Sequence, residues 1–179
     1  PMLTEPLPST LDARKAAARG VSVSGTLKPL DLPRFAALLA DETGEIRAEL
    51  AFSRDEEDRS VVTVAIEADV SVICQRCLGP MELSLAGENT LGIAWNDDQA
   101  RHLPRHLDPL IATEEGCNLW ELVEDELILA LPPFSYHDTE DCKEILSGYT
   151  AGPAVEEEEG NARPNPFDVL AQLKSDDKH

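Results

Sequence analysis

Three segments in the middle of the chain carry side-chain patterns typical of strands, and they restrict the fold more than any other feature. Residues 45–54 and 81–95 alternate apolar and polar side chains, and residues 60–73 are rich in Val and Ile. Both patterns predict β-strands. The charged segment 55–58 fits the turn between the first two. Strands that follow one another so closely predict an antiparallel meander or a small, partly closed barrel.

A few helices are expected to flank this sheet, which gives an α+β fold class. A helix is predicted over residues 9–19, with a serine or threonine as its cap and Gly20 as its stop. Residues 21–27 alternate like a further strand, and residues 31–39 repeat apolar side chains at helical spacing. The sheet is therefore expected to gain one more strand and two helices from the first forty residues.

The second half of the chain predicts a polar loop followed by one good helix. Residues 96–116 are polar and show no apolar period. Asn118 is suited to cap a helix and is followed three residues later by Glu121, as in a capping box. Apolar residues then recur at helical spacing up to Leu131, and two prolines follow. The helix is predicted to end there.

Composition divides the chain into three parts. Residues 1–145 are expected to form a single α+β domain. Residues 146–163 are low in apolar content and rich in Glu, which predicts a flexible, disordered acidic linker. Residues 164–179 predict a short amphipathic C-terminal helix that either docks into a partner groove, the favoured hypothesis, or folds back on the protein's own core. Its apolar face, a candidate partner-binding surface, consists of Phe167, Leu170 and Leu173.

The charge of the chain narrows the choice of partner. It has 35 acidic and 15 basic residues, for a formal net charge of −20. Such a surface repels phosphate backbones and favours basic partners. Direct RNA binding then needs a local basic patch. The candidates are Arg14, Lys15 and Arg19 on the first predicted helix, or Arg101 and Arg105 in the polar loop.

The sequence indicates a cytoplasmic protein. No segment approaches the roughly 18 apolar residues of a membrane span. The first residues show no basic region followed by an apolar stretch, so no signal peptide is expected. Cysteines in such a protein are expected to be reduced rather than paired in disulfides.

Three of the four cysteines and one histidine form a set that suits a metal ion. Cys74 and Cys77 form a C-x-x-C motif directly after a predicted strand, and His137 lies five residues before Cys142. Together they offer a Cys3His set, which suits a structural zinc ion. The alternatives are four unrelated reduced cysteines, some packed like small apolar residues, and a redox pair. Cys117 is expected to pack at the start of a helix.

An acidic cluster lies on the helix that follows Asn118. A solvated acidic face is the favoured interpretation, ahead of an acid–base catalytic pair. Glu126 falls among the apolar positions, so it is expected to face a partner or a buried donor. The partner-binding candidates on this helix are Glu124, Asp125 and Glu126. No phosphate-binding glycine motif or G-x-S-x-G motif is present. We therefore expect no enzymatic activity and no small-molecule substrate.

Four motifs in order resemble one family over nearly the whole chain. They are the C-x-x-C motif with Leu78 after a Val/Ile-rich strand, the helix 122–132, the segment 137–142, and the terminal segment 163–174. In this order and spacing they resemble the YceD-like proteins, also called large ribosomal RNA subunit accumulation proteins. The resemblance implies a role in synthesis, processing or stability of the 23S ribosomal RNA.

Charge and resemblance together give three functional hypotheses. The first is a ribosome biogenesis factor that binds a basic large-subunit ribosomal protein or the pre-50S particle, and so acts on 23S rRNA indirectly. The second is a protein that binds the ribosomal RNA directly. The third is a redox or metal-dependent enzyme that uses the C-x-x-C motif.

Overall fold

The computed structural model describes residues 5–113 and 115–145, and it confirms the α+β class. Five of the seven strands in this part of the chain form one open sheet. The strands are β1 (Thr10–Leu11), β2 (Ser22–Leu27), β3 (Gly44–Arg54), β4 (Ser60–Ile73), β5 (Pro80–Ala94), β6 (Asp108–Ile111) and β7 (Cys117–Asn118). The helices are α1 (Ala13–Arg19), α2 (Pro33–Ala36), α3 (Asp97–Arg101), α4 (Leu119–Ala130) and α5 (Glu140–Glu144).

The five-stranded sheet has the order β2-β3-β4-β5-β6. Strands β2 to β5 are antiparallel neighbours, which confirms the predicted meander. β6 joins the far side of β5 in parallel, beside residues 91–94 only. The sheet is open, with β2 and β6 as its outer strands, so the barrel alternative is not the architecture found over the described residues.

One face of the sheet carries the hydrophobic core. Alternate residues of β3 and β4 point to this face and are almost fully enclosed, among them Phe52, Val62 and Val64. α1 can lie close to the sheet because the residues that it buries are alanines. α4 adds Leu119, Val123 and Leu127, each fully buried. Apolar burial on one face leaves the opposite face of the sheet polar, as is usual for antiparallel sheets.

A buried carboxylate joins α4 to α2. Glu124 is only 3% exposed. Its side chain accepts hydrogen bonds from the backbone N–H of Arg34 at 2.7 Å and of Phe35 at 3.0 Å. The guanidinium of Arg34 donates to the second oxygen at 2.9 Å. These N–H groups lie in the first turn of a helix, where they have no intrahelical acceptor, so the carboxylate satisfies them from another element.

The ends of α1 and α4 follow the chemistry of their caps. Gly20 adopts a left-handed conformation with φ of 65° at the C-terminus of α1, which confirms the predicted stop. The Asn118 side chain accepts from the backbone N–H of Trp120 and Glu121, which confirms the predicted N-cap of α4. That helix ends at Ala130, just before Leu131 and the two prolines.

The first predicted helix was placed too early. Its α-helical part begins at Ala13, because Asp12 is extended and caps the helix by accepting from the backbone N–H of Lys15. The residues before it form β1, which pairs with β7.

Two further predictions need correction. The helix expected over 31–39 is a short 3-10 turn, Pro29–Asp31, followed by the single turn of α2. The loop expected over 96–116 contains α3 and β6. Asn96 caps α3 through the backbone N–H of Gln99, and a five-residue helix is too short to show a helical period.

The predicted linker at 146–163 and the predicted helix at 164–179, with Phe167, Leu170 and Leu173, lie outside the described residues. Within residues 5–113 and 115–145, no helix is long and apolar enough to cross a lipid bilayer.

Replacing Glu124 with alanine should destabilise the fold strongly. The substitution leaves the backbone N–H groups of Arg34 and Phe35 without an acceptor, at about 1–3 kcal/mol for each buried group. We expect the free energy of unfolding in urea to fall by about 3 kcal/mol. Glu121→Ala, an exposed position on the same helix, is the matched control and should cost less than about 1 kcal/mol. Equal losses for the two variants would contradict this role of Glu124.

Candidate metal centre

The turn between β4 and β5 holds the C-x-x-C motif in a fixed shape. The backbone N–H of Cys74 donates to the carbonyl of Gly79 at 2.9 Å, and the N–H of Leu78 donates to the carbonyl of Cys74 at 2.9 Å. Leu78 is forced into a left-handed conformation, with φ of 61°. The turn therefore presents the side chains of Cys74 and Cys77 toward one point.

The other half of the cluster arrives from the chain that follows α4. The backbone N–H of Gln75 donates to the carbonyl of Ser135 at 2.8 Å, which ties this segment to the turn. His137 follows in a segment without regular secondary structure, and Cys142 lies in α5. The prolines after α4 thus direct the chain back across the end of the β4–β5 hairpin.

The four predicted ligand residues meet there. The sulfur atoms of Cys74 and Cys142 are 3.6 Å apart, and Nδ1 of His137 is 3.2 Å from the sulfur of Cys77. All four ligand atoms lie within 4.8 Å of one another. Tetrahedral zinc–thiolate bonds of about 2.3 Å place two sulfur atoms about 3.8 Å apart, so these separations fit such an ion.

The imidazole of His137 is held in the tautomer that a metal requires. Its Nε2 is 3.1 Å from the carbonyl oxygen of Pro80. A carbonyl only accepts hydrogen bonds, so Nε2 is the nitrogen that carries the proton of a neutral ring, and in that tautomer Nδ1 keeps its lone pair. A backbone carbonyl commonly orients a metal-binding histidine in this way.

The environment favours a thiolate at Cys74. Its burial acts to raise the pKa, but hydrogen bonds from the backbone N–H groups of Cys77, His137 and Arg76, together with the Cys142 thiol, lower the pKa to about 5. At Cys142, burial and the neighbouring sulfurs of Cys74 and Cys77 raise the pKa instead. Three neighbouring thiolates repel one another. A divalent cation bound between them would remove this repulsion.

Two residues of the site were not found from the sequence. Arg76 places its guanidinium 4.0 Å from the sulfur of Cys142 and 5.1 Å from the ring centre of Tyr136. Three thiolates and a neutral imidazole around a divalent ion would leave one negative charge, which this guanidinium would offset. The only sequence signal for this role was the position of Arg76 inside the C-x-x-C motif.

The fourth cysteine is not part of the cluster. Cys117 is buried in the hydrophobic core at the start of α4, which confirms the expected packing role. The flanks of the C-x-x-C motif are strands, as expected, and no helix begins at Cys74. The motif therefore lacks the helix N-terminus that usually activates a redox thiol.

Comparison with known proteins identifies the family. A family model described as "Large ribosomal RNA subunit accumulation protein YceD" matches residues 62–174. The chain belongs to the YceD family. A curated relative from Haemophilus influenzae with the same name is 36% identical over 169 residues, which cover 94% of this chain and 96% of the relative. No solved structure matches the chain at a significant level.

The acidic candidates on α4 of this YceD protein lie in different environments. Glu124 is buried against α2, so the solvated-face interpretation is wrong for this residue. Asp125 is exposed and forms an ion pair with Arg34 at 2.7 Å. Glu126 is half-buried and accepts from the side chain of Asn89 at 3.1 Å. Of these three candidates, Asp125 and Glu126 thus have their carboxylates near the surface.

The basic candidates of this YceD-family protein differ in their contacts. The guanidinium of Arg14 stacks on the ring of Trp95, 4.5 Å from its centre. Lys15 forms an ion pair with Asp12 at 3.2 Å. Arg19 lies exposed in the last turn of α1, and Arg101 lies in the last turn of α3.

The full-length chain should bind one divalent metal ion through this cluster. Cobalt(II) is a useful probe because a tetrahedral thiolate site gives it strong visible absorption. We expect Cys142→Ser to abolish that absorption. Cys117→Ser, which also changes a buried cysteine, should keep the absorption and should still bind one ion per chain. Loss of metal from the Cys117 variant alone would contradict this assignment of ligands.

Proposed function

We propose that this protein supports accumulation of 23S ribosomal RNA as an assembly factor of the large ribosomal subunit. In this proposal it acts in the cytoplasm and binds a basic ribosomal protein or the pre-50S particle. The name of the family supports the first part, since it refers to the accumulation of large-subunit RNA. The net charge of −20 is the observation that supports a basic partner.

The distribution of ion pairs strengthens the charge argument. Many of the basic side chains among the described residues are engaged within the protein. Those in intramolecular ion pairs are Lys15, Arg34, Arg47, Arg54, Arg59 and Lys143. Cations held by neighbouring carboxylates offer little charge to a phosphate backbone. The excess acidic groups then supply a field that attracts basic protein.

The role that we propose for the cysteine cluster is structural zinc binding. Cys74, Cys77, His137 and Cys142 come from two separated segments, and Cys74 and Cys142 are buried. A closed four-ligand site of this type stabilises a fold and leaves no position for a substrate. The donor set and its burial therefore support a structural role over a redox or metal-dependent enzyme.

Direct binding to ribosomal RNA is the second candidate. The stacked pair of Arg14 and Trp95 is the observation that favours it, since both side chains can stack on a base. The protein as a whole is strongly acidic and repels RNA. Binding through this pair therefore requires stacking on bases to outweigh that repulsion.

Affinity purification of the tagged full-length chain from its native cells, with and without RNase, tests the proposed function. We expect one or a few basic large-subunit proteins to remain bound after RNase treatment, because charge attraction to protein does not need RNA. Mass spectrometry identifies them. If every ribosomal component is lost with the RNA, direct RNA binding takes first place.

Removal of zinc tests the structural role of the cluster. A chelator should lower the melting temperature of the zinc-loaded protein, because binding to the folded state alone stabilises it. Added zinc should restore the melting temperature. In a Cys77→Ser variant the chelator should have little effect. An unchanged melting temperature on full removal of zinc from the unmodified protein would contradict a structural ion.

A further inference from the structure

Most of strand β5 has a partner on one side only. β4 pairs with β5 along residues 80–92, whereas β6 pairs only with residues 91–94. Within the described part of the chain, no strand lies on the second side of residues 81–90. In a strand paired on one side, every second residue directs its backbone N–H and C=O away from the partner. This stretch of β5, the free edge, therefore offers a row of unpaired backbone groups.

Both ends of the free edge are closed by side-chain contacts. At one end, Asn89 donates to Asp108 of β6 at 3.4 Å and to Glu126 of α4 at 3.1 Å. At the other end, the imidazole of His137 donates a hydrogen bond to the carbonyl of Pro80. The free edge thus lies between these two contacts, on the same side of β5 as β6. A strand added there would extend the sheet.

The two faces of the free edge differ in chemistry. Glu82 and Glu88 are exposed on the polar face of the sheet and take part in no ion pair of the described residues. Asp69 and Glu67, on the neighbouring strand, extend this acidic surface and flank Arg47. The core-side face of the same stretch carries Met81, Leu83 and Leu85, with Leu85 buried and the other two half-buried.

We propose that the free edge of β5 binds an extended segment of a basic protein as an additional antiparallel or parallel strand. Backbone hydrogen bonds along the edge supply affinity, as in other cases of strand addition. Side chains of the added strand alternate between faces, so Lys or Arg side chains meet Glu82 and Glu88 while apolar side chains meet Met81 and Leu83. This inference rests on the proposed function and specifies its partner surface.

The same features select against RNA as the occupant. RNA has no backbone amide ladder to pair with the strand. Its phosphates would lie beside Glu82 and Glu88, where like charges repel. Proteins usually protect a long edge strand by covering it or by placing lysine on it. The free edge carries no lysine, and its two unpaired carboxylates attract cationic side chains instead.

Amide hydrogen exchange on the full-length, metal-loaded protein tests this inference. The probe is a synthetic peptide of alternating lysine and valine. We expect it to slow exchange at every second amide of residues 81–90 and at no comparable stretch elsewhere. Two further peptides are N-methylated at every second residue, one on the lysines and the other on the valines. The peptide whose methyl groups face the free edge should no longer slow exchange, whereas the other should slow it as the unmodified peptide does.

A charge-reversal pair provides the matched control. Glu82→Lys with Glu88→Lys should weaken binding of the peptide by about tenfold, because two attractive contacts become repulsive. Glu42→Lys with Glu56→Lys makes the same change in net charge at exposed positions outside the free edge. We expect this control to weaken binding by no more than about twofold.

Three results would overturn the inference. The first is exchange at residues 81–90 that is already slow in the free full-length chain, which would show that the edge is occupied from within. The second is equal binding of both N-methylated peptides. The third is equal weakening by the two charge-reversal pairs. If basic large-subunit proteins still bind the chain in any of these cases, only the free-edge inference fails. If neither they nor the peptide bind, the proposed function fails as well.

Discussion

The pairing of β4 on both of its sides is the constraint on which the rest of the structure depends. Residues 60–70 of this fourteen-residue strand pair with β3 along one side, and residues 61–73 pair with β5 along the other. Val62, Val64 and Val70 on its core face are almost completely buried. Because side chains alternate along a strand, this register also fixes which carboxylates of β3 and β5 reach the polar face. A slip of one residue would bury the charged face and expose the apolar one.

The end of the same strand positions the cysteine and histidine cluster. Cys74 follows directly after Ile73, so the hairpin that joins β4 to β5 delivers both cysteines of the C-x-x-C motif. Packing of α4 on the sheet then fixes where the chain emerges with His137 and Cys142. The core and the cluster therefore support one another: the core brings the two halves of the site together, and a bound ion would tie the segment after α4 to the sheet.

Local sequence patterns were sufficient for the long elements and for the grouping of three cysteines with one histidine, but not for other contacts made across the chain. β3, β4, β5 and α4 have clear periods, and the chemistry and spacing of Cys74, Cys77, His137 and Cys142 predicted that they would lie together, as they do. β6 has four residues, and it pairs in parallel with residues of β5 that lie seventeen positions earlier, so no local period marks it. Glu124 looked like one of several surface carboxylates, because its donors lie on α2, about ninety residues away.

In the function that we propose, the protein acts on ribosomal RNA through a basic protein rather than by direct contact. The most direct measurement is the affinity of the zinc-loaded full-length chain for protein-free 23S rRNA and for purified basic large-subunit proteins, over a range of salt concentrations. We expect tight binding to one or a few of these proteins, weakened by salt, and no measurable affinity for the RNA at physiological salt. Specific RNA binding with a steep salt dependence, without affinity for the proteins, would contradict it.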